Sequence, residues 1–165
     1  MKEIQLTQGY FALVDDEDFE ELNKHKWHIK KHRNTVYAVR TQWIVGGKGK
    51  QIHYKMHRVI LGLKNPKEVC DHINHNGLDN RKSNLRVCTN KENQKNRLSK
   101  KNSTSKYLGV SLSDNKWVSG ISVNGKRKHL GTFDNTKDGE ILAAISYDFA
   151  AIKYHGEFAN LNFKE

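Results

Sequence analysis

The stretch Cys70-Asp71-His72-Ile73-Asn74-His75-Asn76-Gly77-Leu78-Asp79-Asn80-Arg81-Lys82-Ser83-Asn84-Leu85-Arg86-Val87-Cys88-Thr89-Asn90-Lys91-Glu92-Asn93-Gln94-Lys95-Asn96 decides how this chain is read. Residues 69–73 are apolar and β-branched enough to be a strand, and Leu85-Arg86-Val87 returns as a second one. Between them, residues 74–80 are dense in Asn, Asp and Gly, which tolerate left-handed backbone and bond their own main chain, so they form a loop. Thr89 with Glu92 three residues later is a capping box, and a helix should start near Asn90. The local order is strand, loop, strand, helix. No other part of the chain sets a carboxylate beside an imidazole with so many basic residues close by.

Length and charge describe the surroundings of this stretch. At 165 residues the chain suits one ordinary domain or two small ones. Only 36% of residues are hydrophobic and the mean hydropathy is −0.83, so two or three small cores joined by polar linkers fit better than one large core. The formal net charge of +11 points to a polyanionic partner. Residues 51–105 carry 12 Lys and Arg against 4 acids, whereas 1–50 carry 9 against 7 and 106–165 carry 8 against 7. The excess therefore lies around the quoted stretch.

Cys70 and Cys88 are the only cysteines, too few for a four-thiolate zinc site, and they read as two buried thiols flanking the motif. Met1-Lys2-Glu3-Ile4-Gln5 has no apolar signal core, and no run reaches transmembrane length. The expectation is a soluble, cytoplasmic protein with no membrane partner.

Upstream, residues 4–14 read as one strand. Asp15-Asp16-Glu17-Asp18, followed by Phe19 and Leu22, suits the positive end of a short helix over 16–24. A cation site there is disfavoured, because consecutive residues point around a helix rather than converge. Strands follow near 27–30 and 36–45, then a glycine-rich hairpin loop over 46–50 and a strand over 51–56. The loop has no Walker spacing and reads as a turn. Residues 57–63 suggest a short helix or turn, after which Pro66 redirects the chain.

Downstream, residues 94–106 hold five basic residues, no acids and one large apolar residue. Such a segment cannot bury a core, and it reads as an extended, DNA-tracking arm. From Tyr107 the composition changes. Residues 107–112, 116–123 and 128–133 are strand-like, and Asn124-Gly125 marks a hairpin. Residues 137–155 show helical spacing of Ile141, Ile145, Phe149 and Ile152 with Leu142, while Ala143, Ala144, Ala150 and Ala151 permit close approach to a sheet. The aromatic residues of this module should lie mostly in its core, with Trp117 allowed an outside role.

Hydrolysing a phosphodiester near neutral pH needs an activated water and neutralisation of the charge developing on phosphate and leaving oxygen. A divalent cation held by one carboxylate and a neutral amide oxygen can supply the second. Asp71 offers the carboxylate, and His72 an imidazole able to take a proton at physiological pH. That imidazole must be held in one tautomer, a task suited to an uncharged Asn oxygen. Asn84 on the returning strand and Asn93 on the helix are the available candidates.

These residues resemble the His-Asn-His (HNH) endonucleases, whose site is a ββα-metal motif, and in particular their phage and intron-encoded homing type. The matching runs are Asp71-His72-Ile73-Asn74, Asp79-Asn80-Arg81, Ser83-Asn84-Leu85-Arg86 and Cys88-Thr89-Asn90-Lys91-Glu92-Asn93, with Met56-His57-Arg58-Val59-Ile60-Leu61-Gly62 upstream. The resemblance implies His72 as general base, Asn84 orienting it, and Asp71 with Asn93 binding one divalent ion, Mg2+ or Mn2+. The third motif position is Asn rather than His, which argues against zinc. Arg58 would have a weak role near the phosphate, and His57 is as well read as structural.

The C-terminal residues resemble the plant APETALA/ethylene-response-factor DNA-binding domain. The resemblance rests on Tyr107-Leu108-Gly109-Val110, Lys116-Trp117-Val118, Leu130-Gly131-Thr132-Phe133, Ala151-Ile152-Lys153-Tyr154-His155-Gly156 and Ala159-Asn160-Leu161-Asn162-Phe163. It implies a three-stranded sheet laid in the DNA major groove, with Ser111, Ser119 and Ser122 near positions where plant members carry Arg.

The expected fold is α+β, organised as an N-terminal β-rich segment (1–52), a ββα-metal nuclease core (53–96), a basic linker (97–106) and a three-stranded antiparallel sheet packed on one helix (107–163). The expected function is metal-dependent nicking of double-stranded DNA, with no obligate protein partner. Expected DNA contacts are Arg58, Arg81 and Arg86 around the site, Lys95, Arg97, Lys100 and Lys101 on the arm, and Lys116, Trp117, Lys126, Arg127 and Lys128 on the C-terminal module. Two other readings compete with this one. A non-cleaving DNA-binding regulator would have no need of the Asp71, His72, Asn84 and Asn93 set. A zinc module on Cys70, Cys88, His72 and His75 would need two cysteines 18 apart to converge.

Overall fold

A computed structural model describes residues 1–32, 35–46, 49–99 and 102–164, which divide into two compact units, Met1–Asn90 and Lys91–Glu165. The first unit opens with a hairpin in which β1 (Lys2–Gln5) pairs antiparallel with β2 (Phe11–Val14). The single strand expected over 4–14 is therefore broken. Thr7–Gly9 makes a 3-10 turn in which Gln8 (φ 65°) and Gly9 (φ 74°) both take left-handed backbone and reverse the chain. The helix expected next is α1 (Asp16–Asn23), but its acidic run has a different use from the one expected. Asp15 at the N-cap makes no side-chain capping bond; its Oδ2 instead accepts the Lys82 N–H at 2.7 Å. Glu17 and Asp18 pair with the Lys82 ammonium.

Strands β3 (His28–His32), β4 (Thr35–Trp43) and β5 (Gln51–Lys55) form an antiparallel sheet in that order, and α2 (Met56–Ile60) follows directly. The core beneath holds Ile4, Leu6, Ala12, Val14, Leu22, Trp27, Ala38 and Met56. Trp27 is the largest of these, and its indole Nε1 donates to Leu22 O at 2.8 Å, so the ring is buried without an orphaned polar atom. Each large side chain so enclosed contributes about 1.5–3 kcal/mol.

The quoted stretch folds as expected into β6 (Val69–His72) and β7 (Leu85–Cys88), paired antiparallel with Asp71 opposite Arg86. The capping-box helix is a single turn, α3 (Asn90–Asn93). The loop between the strands is tied to the N-terminal elements. Leu13 N–H donates to Leu78 O and Asn80 N–H to Leu13 O, each at 2.8 Å, and Leu78 packs against the core. Gly77 is required there: a Cβ would lie 2.5 Å from Val36 O and 2.7 Å from the Tyr37 ring.

In the second unit, β8 (Val110–Ser113), β9 (Lys116–Val123) and β10 (Lys126–Asp134) form an antiparallel sheet in the order β10-β9-β8, with α4 (Lys137–His155) packed across it. This matches the expected arrangement. Asn124 (φ 52°) and Gly125 (φ 78°) supply the two left-handed residues a tight hairpin needs. Ala143, Ala144, Ala150, Ala151 and Tyr147 form the sheet-facing side of α4, while Phe149 and Ile152 stay exposed. The expectation of core aromatics fails for Phe149, because close approach to the sheet selects small residues on the facing stripe. Ser119 is fully buried rather than on the sheet surface.

The composition of the basic segment predicts no burial, and its described part departs from that. Asn96 and Ser105 are buried, Ser105 Oγ donates to Glu140 at 2.6 Å, and Asn160 Nδ2 donates to Arg97 O at 2.9 Å. Side-chain hydrogen bonds hold it, which a reading of apolar content does not detect. No helix among the described residues is long and apolar enough to cross a membrane.

Gly109 (φ 79°) sits against Tyr147, where a Cβ would lie 1.9 Å from the ring. Gly109→Ala should therefore destabilise the second unit by roughly 2–4 kcal/mol in urea unfolding of the full chain. Gly125→Ala, with open space around it, should show only the left-handed strain of roughly 1–2 kcal/mol.

Candidate active site

Strand β6 delivers Asp71 and His72 as neighbours, and both are buried at 6% exposure. Asp71 Oδ2 accepts two bonds from the Arg86 guanidinium, Nε at 2.9 Å and Nη2 at 2.6 Å. The cross-strand pairing of Asp71 with Arg86 produces this fork, so the carboxylate faces a cation by virtue of strand register.

His72 sits in a triangle of rings. Its centroid lies 5.0 Å from that of His57, edge-on at 90°, and 5.7 Å from that of Tyr37; Tyr37 and His57 are 5.3 Å apart. The three come from β6, α2 and β4. His72 Nε2 is 3.4 Å from Asn80 Oδ1, and Asn80 Nδ2 donates to Leu78 O at 3.1 Å. With its nitrogen committed to a carbonyl, Asn80 turns its oxygen to the ring, and a hydrogen on Nε2 would complete that bond. Burial lowers the His72 pKa, against the opposing pull of Asn80, Asp71 and Asp79, so the ring is mainly neutral near pH 7.

His57 is also buried, with Nδ1 lacking a hydrogen-bond partner among the described residues. Burial, reinforced by His72, Lys55 and Arg58, pushes its pKa down to about 3. The unfolded chain binds this proton more tightly than the folded one, so stability is full above the ordinary histidine value and falls as pH drops toward 3. His57 should contribute a loss of roughly 1.4 kcal/mol per pH unit inside that window. Urea midpoints of wild type and His57→Asn at pH 7, 6 and 5 check this, the wild type having the steeper fall.

The loop is built on amides. Asn84 Oδ1 accepts Asn74 N–H at 3.0 Å and Asn84 Nδ2 donates to Asp79 O at 2.8 Å, so both ends of that side chain hold the loop. The neighbour of the His72 ring is Asn80, not Asn84. Asp79, 2% exposed, accepts both Arg81 Nε and Nη2 at 2.7 Å and Asn74 Nδ2 at 2.8 Å; the Arg81 guanidinium holds its carboxyl below the usual range.

The family profile described as HNH endonuclease matches residues 54–95. An uncharacterized HNH endonuclease of Acanthamoeba polyphaga mimivirus is 31% identical over 157 residues, covering 94% of this chain and 76% of the relative. The chain belongs to the HNH endonuclease family. Membership suggests a nuclease and, with it, a DNA partner.

The remaining expected site residues of this HNH chain fall into several groups. Asn93 is carried by α3, which belongs mainly to the second unit, whereas Asp71 and His72 belong to the first. Arg58 donates to the carbonyls of Glu68 (2.6 Å), Asn65 (2.7 Å) and Leu63 (3.3 Å), stapling the turn after α2. With Arg81 on Asp79 and Arg86 on Asp71, all three site arginines are engaged inside the fold. Lys95 is half-buried and Arg97 exposed, while Lys100 and Lys101 lie outside the described residues. On the sheet, Trp117 donates from Nε1 to Thr136 O at 3.1 Å and packs with Val110 and Ala143, on the helix side. Lys128 donates to Tyr154 OH at 3.2 Å, also on that side. Lys116 approaches Asp134 at 3.7 Å. Lys126 and Arg127 are exposed, and Arg127, opposite Ser122, lies against Gly120 on the open face.

Sequence reasoning misses Asn80 and Tyr37. Asn80 stands in the sequence only as one member of a motif, yet it is fully buried beside His72. Tyr37 belongs to no motif at all; a strand position is its only signal.

Cys70, whose thiol burial pushes up to about 12, has no thiolate character at neutral pH. Among the described residues no three His, Cys, Asp or Glu side chains converge on a common point. One carboxylate with one amide oxygen nevertheless suits a hard divalent ion that keeps water and phosphate oxygens in its shell. The Arg86 guanidinium already satisfies the Asp71 carboxylate as a cation would.

Proposed function

We propose that this chain is a divalent-metal-dependent DNA endonuclease that nicks one strand, with His72 as general base. The observation that carries this reading is the buried His72, kept mainly neutral by burial, with its Nε2 3.4 Å from Asn80 Oδ1 and Asp71 next to it on the same strand. Asp71 and the Asn93 amide would hold the ion, which when bound neutralises charge on the phosphate and the leaving oxygen. His72 Nδ1 takes the proton from the attacking water. Asn80 keeps the opposite ring nitrogen protonated, and Tyr37 and His57 hold the ring plane and exclude bulk water from its flanks. Asn84 acts on the site through the loop it clamps.

Lys95, Arg97, Lys126 and Arg127 meet phosphates or base edges. The resemblance of the second unit to the APETALA/ethylene-response-factor domain supports an open sheet face as the reader of the duplex. If about eight cations meet phosphates, affinity should fall by roughly three to five decades between low and moderately high salt.

Supercoiled plasmid incubated with the purified chain in Mg2+ or Mn2+ should become relaxed, and chelator should stop the reaction. A chain that binds the plasmid but leaves it supercoiled in both metals is instead a non-cleaving regulator on this scaffold.

A further inference from the structure

Helix α4 carries two apolar stripes, and the sheet covers only one of them. The covered stripe is made of small residues with Tyr147, and the open one of large residues. Ile141 is 38% exposed, Leu142 52%, Phe149 72% and Ile152 57%, and Phe163 beside them is 44% exposed. At 100° per residue, Ile141, Leu142, Ile145, Phe149 and Ile152 fall within an arc of about 100°. Phe163 and Leu161 extend the stripe sideways into a groove of about 480 Å³ floored by Ile145, Phe149 and Ile152. A helix that is apolar on both sides is ordinarily enclosed on both sides. At roughly 200 Å² for a whole large apolar residue, the exposed fractions leave on the order of 500 Å² open, in the range of patches that mark interaction sites.

We propose that this face of α4 pairs with the same face of a second copy of the chain, the two helices running antiparallel about a two-fold axis. Two features of the face favour this occupant. The first is area: two such patches together bury about 1,000 Å² of apolar surface, the floor for a biological interface and the range of weak, reversible dimers. The second is charge. The stripe has Asp138 at its N-terminal end and Lys153 flanking its C-terminal end, both exposed. An antiparallel pair centred near Ile145 sets Asp138 of each copy against Lys153 of the other and Leu142 against Phe149. A parallel pair would set like charges together. Self-complementarity of this kind is what an isologous contact requires. The resulting particle carries two copies of the His72 site.

Sedimentation equilibrium of the full chain without DNA tests this directly. The wild type should dimerise in the micromolar range, and Phe149→Asp should weaken dimerisation by roughly thirtyfold or more with an unchanged circular dichroism melt. Asp138→Lys and Lys153→Asp should each weaken it, and the two together should restore it. Should Phe149→Asp fail to fold, Ile152→Lys gives the same readout. A wild type that remains monomeric up to hundreds of micromolar, as it would if the face seats some other protein, overturns the proposal. So does a dimer that the Phe149 and Ile152 variants leave intact. Sedimentation does not depend on cleavage, so its outcome is separate from that of the nuclease reading.

Discussion

Replacing His72 with alanine should lower the rate of plasmid relaxation by roughly 10²- to 10⁴-fold while duplex affinity stays within a factor of a few. The size follows from what is removed. As the proposed base, the neutral imidazole has no substitute of matched pKa nearby: His57 has its pKa pushed down to about 3. His57 therefore binds a proton too weakly to serve. Binding survives because His72 is buried and carries no charge to give a phosphate. The rate should also fall for the wild type as pH drops through the lowered His72 pKa, since protonation abolishes the acceptor. Gel assays of relaxation beside fluorescence anisotropy of a labelled duplex separate the two quantities. Relaxation by His72→Ala at the wild-type rate would remove His72 from the mechanism.

Arg86→Ala should cost about 3–5 kcal/mol of folding stability, because it strips the guanidinium from a carboxylate that is 7% exposed. Most of that figure is the penalty of the charge left behind. Asp71→Asn in the Arg86→Ala background should therefore recover a substantial part of the loss. Mn2+ should raise the melting temperature of Arg86→Ala more than that of the wild type, since in the variant a cation no longer competes for the Asp71 oxygens. Thermal melts with and without Mn2+ across these variants provide the measurement. Equal shifts in wild type and Arg86→Ala would show that the ion does not bind at Asp71.

Motif positions are legible in the sequence, and the partners of those residues largely are not. The strands around Asp71-His72, the turn of helix beginning at Asn90 and the Asn124-Gly125 hairpin follow from local pattern, because each depends on residues within a few positions. The apolar run over 4–14 misleads because Gln8 enters left-handed backbone, which no composition rule assigns to glutamine. The ring triangle needs Tyr37, His57 and His72 to meet from three elements, and the spacing of 20 and 15 residues between them has no periodicity. Asn80 and Asn84 are chemically identical and four positions apart, so only geometry distinguishes the amide that meets the ring from the one that clamps the loop. The outward stripe of α4 is visible as helical spacing, but size settles which side faces the sheet: alanines fit close, and isoleucine and phenylalanine do not.

The paired bonds from Leu13 to Leu78 and Asn80 have a consequence for how the loop between β6 and β7 forms. The loop's backbone is completed by a residue 65 positions earlier, so its closure is a long-range event and correspondingly slow to form. A fragment restricted to 54–95 would contain every HNH motif residue and still lack the strand edge on which Asn80 is hung. Transplanting the motif into another protein would move the chemistry without its hinge pin. Mutations in the first fourteen residues can therefore disturb the proposed site without touching it in sequence.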